Sequence, residues 1–238
     1  MRKIVKRLLG LKLPEGRSAF LWGPRKVGKS YWIAHTLRQA AVIDLLKTDV
    51  FADYAARPAL LRERYQAHRG LVVIDEVQKV PALLDEVHWL IENRGLSFLL
   101  TGSSARKLRR GHANLLGGRA WRRTMGPLSA LEVEGFDLES VMLSGLLPPH
   151  FLSPQPQEDL RAYVADYLKE EIAAEALVQN IPAFAEFLRV AAITSSELTQ
   201  QTTAMCRMAL LSRQAFSPFS VMASRRRQSP RWTPSQCL

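Results

Sequence analysis

The sequence is poor in cysteine, has no long apolar run, and lacks acid at one end. Two cysteines in 238 residues, Cys206 and Cys237, supply neither a disulfide framework nor a metal-ligating set, and a reducing cytoplasm is the expected compartment. No apolar run approaches the ~20 residues of a membrane span. The basic start, residues 1–10, is followed by no apolar stretch or small-residue cleavage site, so no membrane partner is expected. Ile4, Leu8, Leu9 and Leu11 predict a short amphipathic helix there. Residues 198–238 contain no Asp, Glu, Lys, Gly or Asn, yet hold six arginines. They carry six of the net +11 charges and leave +5 on residues 1–197. That balance suits a mixed solvated surface better than a dedicated nucleic-acid face.

What is present centres on Gly23-Pro24-Arg25-Lys26-Val27-Gly28-Lys29-Ser30, a match to G-x-x-x-x-G-K-[ST]. Ser18-Ala19-Phe20-Leu21-Trp22 before it reads as a buried strand, and the segment from Tyr31 to Gln39 is helix-compatible. Strand, glycine loop and helix form the setting of a phosphate-binding P-loop. The glycines let backbone N–H groups close around phosphate oxygens, and the helix N-terminus favours an anion. Lys29 would reach the β- and γ-phosphates, the Ser30 hydroxyl would ligate Mg²⁺, and Tyr31 completes the stretch next to the nucleotide.

Residues 41–46 predict a second strand, and residues 49–66 a helix broken at Pro58. Leu71-Val72-Val73-Ile74-Asp75-Glu76 follows, four aliphatics delivering two carboxylates. Placed 45 residues after Ser30, this is the Walker B pattern. Asp75 would hold the Mg²⁺ shell, and Glu76 would polarise the water that attacks the γ-phosphate. Pro81 to Ile91 forms the clearest amphipathic helix, with Leu84, Val87, Leu90 and Ile91 on one face and Gly95 as its stop. Leu96 to Leu100 is a further buried strand, ending in Thr101-Gly102-Ser103-Ser104. A hydroxyl here would touch the γ-phosphate or the attacking water. Ser103 is the favoured sensor, with Thr101 and Ser104 as rivals, and helix capping is the competing role. Residues 106–116 read as a basic helix, and Met125-Gly126-Pro127-Leu128 enters a last strand or turn. Arg119, with Arg122 and Arg123 as competitors, lies where an arginine finger acting from a neighbouring subunit would sit, and a plain surface arginine fits each as well.

These motifs, with Gly117-Gly118-Arg119 and Pro127-Leu128-Ser129 after them, form an ordered set over residues 1–197. The set resembles the prokaryotic AAA+-type ATPases that pair this module with a C-terminal domain of unknown function. The resemblance implies ATP as the nucleotide. It also implies a parallel α/β sheet with the P-loop strand beside the sensor strand, and the sensor strand beside the Walker B strand.

The expected organisation is a P-loop core over residues 1–135, a helical lid-like segment over 136–197 and a low-order basic tail over 198–238. Residues 159–178 and 184–191 carry apolar residues at helical spacing, and Arg161 and Arg189 are candidates for a second sensor that no motif pins. Thr194-Ser195-Ser196-Glu197 fits a capping box whose helix the composition then abandons. A shifted reading frame accounts for this better than a natural disordered tail. The functional readings are a Mg²⁺-dependent ATPase, or a nucleotide-gated module of little turnover acting on DNA or a protein partner. Homo-oligomers are compatible with both. A small-molecule kinase is weaker, because no acceptor site is visible.

Overall fold

The computed structural model describes residues 5–14, 16–103, 108, 116–166 and 180–194. Ser104, the basic segment 106–116 apart from Leu108 and Leu116, residues 167–179, the capping box beyond Thr194, and the tail with both cysteines lie outside the described residues. The chain divides into two compact units, residues 1–157 and 158–238.

The first unit is built on five strands: β1 (Ser18–Trp22), β2 (Ala41–Asp44), β3 (Leu71–Asp75), β4 (Ser97–Gly102) and β5 (Ala120–Thr124). They form one parallel sheet in the order β2-β3-β4-β1-β5. The expected adjacency of P-loop, sensor and Walker B strands is therefore observed. Pairing aligns Leu21 with Thr101 and Ile74 with Leu100, so the carboxyl ends of β1, β4 and β3 finish level. The chain leaves β1 toward β2 on one side and reaches β5 on the other. Such a reversal opens a crevice at the carboxyl ends of the strands.

Period-two alternation sends successive side chains to opposite faces. Phe20, Ile74, Phe98 and Leu100 point to one face, under α2 (Thr48–Ala56), α3 (Leu60–Tyr65) and α4 (Leu83–Arg94). Leu84, Val87, Leu90 and Ile91 are the apolar stripe of α4 and are buried there. Gly95 ends α4 with φ 64°, as a left-handed C-cap does. Pro58 divides α2 from α3. Ala19, Leu21, Val73 and Leu99 face the other way, under α1 (Lys29–Thr36).

Two local expectations are corrected. Residues 5–14 form no helix. Leu9, Leu11 and Leu13 alternate and pack against the second apolar cluster while Leu8 is 61 % exposed. An i, i+2 pattern suits an extended chain, and the apolar surface beneath it decides the outcome. β5 begins at residue 120, earlier than the turn or strand expected from Met125 onward. Its sequence, AWRRT, is mostly exposed, as a charged edge strand is, so it has no apolar signature.

Three further helices follow: α5 (Leu138–Ser144), α6 (Pro148–Phe151) and α7 (Pro156–Asp166). The first compact unit runs on to residue 157. Leu128 N–H bonds Leu146 O at 2.7 Å and Leu147 packs on the second cluster, which ties α5 and α6 to the sheet. In the second unit, α8 (Ile181–Thr194) carries Phe184 stacked on Phe187 and places Pro182 in its first turn.

Candidate nucleotide site

The loop between β1 and α1 takes its shape from two close constraints. A Cβ at Gly23 would collide with the carbonyl oxygen of Met125. Gly28 holds φ 91° and caps α1, a conformation glycine adopts at no steric cost. Lys26 also has positive φ, 65°. Pro24, Arg25 and Lys26 are exposed at the tip, and Val27 is buried as the loop's apolar foot. Lys29 is only 6 % exposed, and its Nζ donates to Gly23 O at 2.7 Å and to Pro24 O at 3.2 Å. The ammonium is thus aimed into the concavity of its own loop.

Beneath the loop, α1, β3 and β4 bring three oxygen side chains together. Ser30 Oγ donates to Asp75 Oδ2 at 2.6 Å, and Thr101 Oγ1 donates to Asp75 Oδ1. Asp75 is buried, and two hydroxyl donors offset the cost of withdrawing its charge from water. Glu76, one residue further, leaves the strand with φ 59°. A non-glycine residue in that region costs on the order of 1–3 kcal/mol and persists only where its surroundings enforce it. Gln78 Nε2 donates to Glu76 Oε2 and lies 3.4 Å from Ser103 Oγ.

The hydroxyls are therefore divided. Thr101 serves Asp75, while Ser103 stands beside the Glu76–Gln78 pair. Tyr31 is 44 % exposed with its ring stacked on His35 at 3.9 Å, on the solvent side of α1. Arg119 is not brought to this crevice. Its carbonyl accepts from the N–H of Ser18, at the opposite end of β1 from the loop, and its guanidinium pairs with Glu92 of α4. Arg122 and Arg123 lie on exposed β5. Arg161 pairs with Glu158, and Arg189 with Glu186, on exposed helix surface in the second unit.

Two residues at the site were given no role by the sequence. Gln78 lies in the 3-10 turn Val77–Lys79, and only the fold sets it between Glu76 and Ser103. Gly102 records the closeness, since a Cβ there would strike the Gln78 amide and lie 2.8 Å from the Trp22 ring. Arg7 is the other. Its guanidinium donates to Val27 O at 2.7 Å inside the P-loop, to Gly126 O at 2.8 Å and to Glu132 Oε1 at 3.0 Å. Burial raises the Glu132 carboxyl, but the N–H groups of Leu8 and Ser129 and the Arg7 guanidinium outweigh it and hold the pKa below its ordinary value. Pro148 of α6 approaches the loop as well, with its Cγ 4.0 Å from a Cβ placed on Gly28.

A parallel five-stranded sheet, a glycine loop feeding a helix, and a buried aspartate under that loop define a P-loop nucleotide-binding protein. The chain belongs to the AAA domain family, whose model matches residues 15–134. No match is found among curated proteins. Similar solved structures include the Walker-type ATPase of Pyrococcus abyssi, 12 % identical over 78 % of this chain and 72 % of that one, with a TM-score of 0.40. The ORC1 protein of Aeropyrum pernix in complex with DNA is 16 % identical over 82 % of this chain and 66 % of its own, with a TM-score of 0.41. PCH-2 of C. elegans is 17 % identical over 86 % and 56 %, at 0.37. These likenesses are too loose to bear on function.

Proposed function

We propose that the chain binds ATP with Mg²⁺ and hydrolyses it. The observation that carries this is the pair of hydroxyls, Ser30 and Thr101, on the buried Asp75 beneath a glycine loop, with Glu76 next in the chain. All the donors are hard oxygens, which suit Mg²⁺, so Ser30 and Asp75 would hold the ion. When bound, Mg²⁺ neutralises phosphate charge and fixes the phosphates for in-line attack. Loop N–H groups of residues 25–30 grip the phosphate oxygens, and Lys29 exchanges its loop carbonyls for them. Glu76 takes a proton from water as that oxygen bonds to the γ-phosphorus. The bond to the bridging oxygen breaks and ADP leaves. Ser103 orients the water or the γ-phosphate. Arg119 acts in trans, in a homo-oligomer, on the charge of the transferred group. Residues 1–135 supply this chemistry, with the helices of residues 138–151 tied to the same unit.

A second reading is favoured by the hold of Gln78 on Glu76. A restrained base suits a nucleotide-gated module that turns over slowly and acts on DNA or a protein partner. Steady-state phosphate release separates the two. Hydrolysis predicts turnover above a no-enzyme control that falls roughly 10²-fold or more in Glu76→Gln, with Mg-ATP binding retained. Binding without turnover in the unaltered chain selects the second reading. Normal turnover in Glu76→Gln removes Glu76 from the role of base.

A further inference from the structure

The opposite end of the sheet carries a feature that nucleotide chemistry does not use. Four adjacent strands are each preceded by an arginine: Arg38 three residues before β2, Arg69 two before β3, Arg94 three before β4, and Arg17 immediately before β1. The strand order β2-β3-β4-β1 sets them in a row along the amino-terminal edge of the sheet. At about 4.8 Å between strands, the row runs ~14 Å. All four are exposed, and among the described residues no carboxylate pairs with any of them. Arg119, before β5, is held by Glu92 and is not counted.

Stabilising the helix ends is the simplest role for such arginines, since α1, α3 and α4 finish at this edge. Each helix C-terminus amounts to about −0.5 charge. Three of them offset roughly one and a half of the four guanidiniums, and about +2.5 is left over among the described residues. That surplus favours an anionic ligand.

The row is not flat. Between Arg69 and Arg94 lies an open cleft of about 780 Å³, whose lining mixes Leu13, Leu71 and Leu96 with polar groups, His68 among them. The His68 ring meets Tyr65 edge-on at 5.5 Å.

We infer that this edge binds single-stranded nucleic acid, its phosphates along the arginines and an unstacked base in the cleft. A duplex satisfies the arginines but keeps its bases stacked out of reach of the cleft. A single strand offers both a phosphate track and an unstacked base with an apolar face and polar edges, as proteins that combine a basic track with base-accepting surfaces require. An acidic peptide matches the charge and leaves Leu13, Leu71 and Leu96 without a partner.

Fluorescence anisotropy of a labelled 15-mer of deoxythymidine, titrated with the full chain without nucleotide, tests this independently of the P-loop reading. Arg69→Ala/Arg94→Ala is expected to weaken binding at least tenfold. The slope of log affinity against log salt should fall by about 1.4, at ~0.7 for each single-strand phosphate that is no longer neutralised. Arg69→Lys/Arg94→Lys, which keeps the charge, should restore the slope, and equal thermal melting of both variants excludes unfolding. Because residues 198–238 also carry arginines, Arg225→Ala/Arg226→Ala/Arg227→Ala in the full chain is the control, expected to lose less affinity than the edge variant. Four results would each overturn the inference: unchanged binding in the edge variant, loss confined to the 225–227 variant, equal affinity for duplex of the same length, or displacement by polyglutamate at matched charge.

Discussion

Lys29 shows how a single side chain would tie the loop to a phosphate ligand. Its ammonium is almost fully buried and satisfied by Gly23 and Pro24 carbonyls of its own loop. Phosphate oxygens offer the same geometry with opposite charge, and a hydrogen bond to a charged group is worth about 1.5–3 kcal/mol. Lys29→Ala is therefore expected to lower ATP affinity by roughly 10- to 10²-fold while the melting curve stays cooperative. Calorimetric titration giving equal affinities would sink the phosphate-binding role. Gly102 makes a steric argument at the same scale. It lies where the Gln78 amide and the Trp22 ring leave no room for a methyl group. Gly102→Ala is expected to cost about 1–3 kcal/mol in chemical denaturation, as overpacked sites do. It should also displace Gln78 from Glu76, so turnover should change along with stability. A variant as stable as the parent would mean that the strand end relaxes freely.

At the scale of elements, the N-terminal segment, the P-loop and the chain after β5 meet at Arg7. Arg7 and Glu132 side chains are 9 % and 5 % exposed, so the pair is shielded from screening. The Glu132 carboxyl titrates below its ordinary value of 4.5 in the folded chain. A depressed carboxyl contributes stability that is present above its unfolded pKa and is lost as pH falls through the folded one. Urea denaturation should thus show stability declining as pH falls below about 4.5, with a shallower decline in Glu132→Gln than in the parent. Parallel curves would show that Glu132 does not couple folding to protons. Arg7→Ala should also loosen the loop through Val27, so its ATP affinity should fall even where its folded fraction is complete.

For the whole molecule, the separation of Arg119 from the P-loop matters most. The two lie at opposite ends of β1, so one chain cannot bring its own Arg119 to its own phosphates. A head-to-tail assembly joins unlike surfaces of neighbouring copies and can bring one copy's Arg119 to the next copy's loop. Mixing Arg119→Ala chains with Glu76→Gln chains should then restore part of the activity, since some interfaces pair an intact base with an intact finger. Absence of recovery, with oligomers present by light scattering, would rule out action in trans. The amino-terminal edge offers a separate surface on the same molecule, which would let nucleotide and nucleic acid be bound at once.

Much of this site was legible in the chain because its signals are local. The glycine loop, the aliphatic run ending in Asp75-Glu76, and the stripe of α4 each carry their constraint within a dozen residues. Adjacent backbone geometry and side-chain period alone produce them. What only the tertiary structure decided joins residues far apart in the chain. Thr101 meets Asp75 through the parallel pairing of β3 and β4, and register there chooses Thr101 over Ser103 for the aspartate. Arg7 reaches Glu132 across 125 residues. The extended course of residues 5–14, the exposed edge strand β5 and the row of arginines follow equally from what the sheet places beside them. Strand order brings them together, and no periodicity of the sequence encodes strand order.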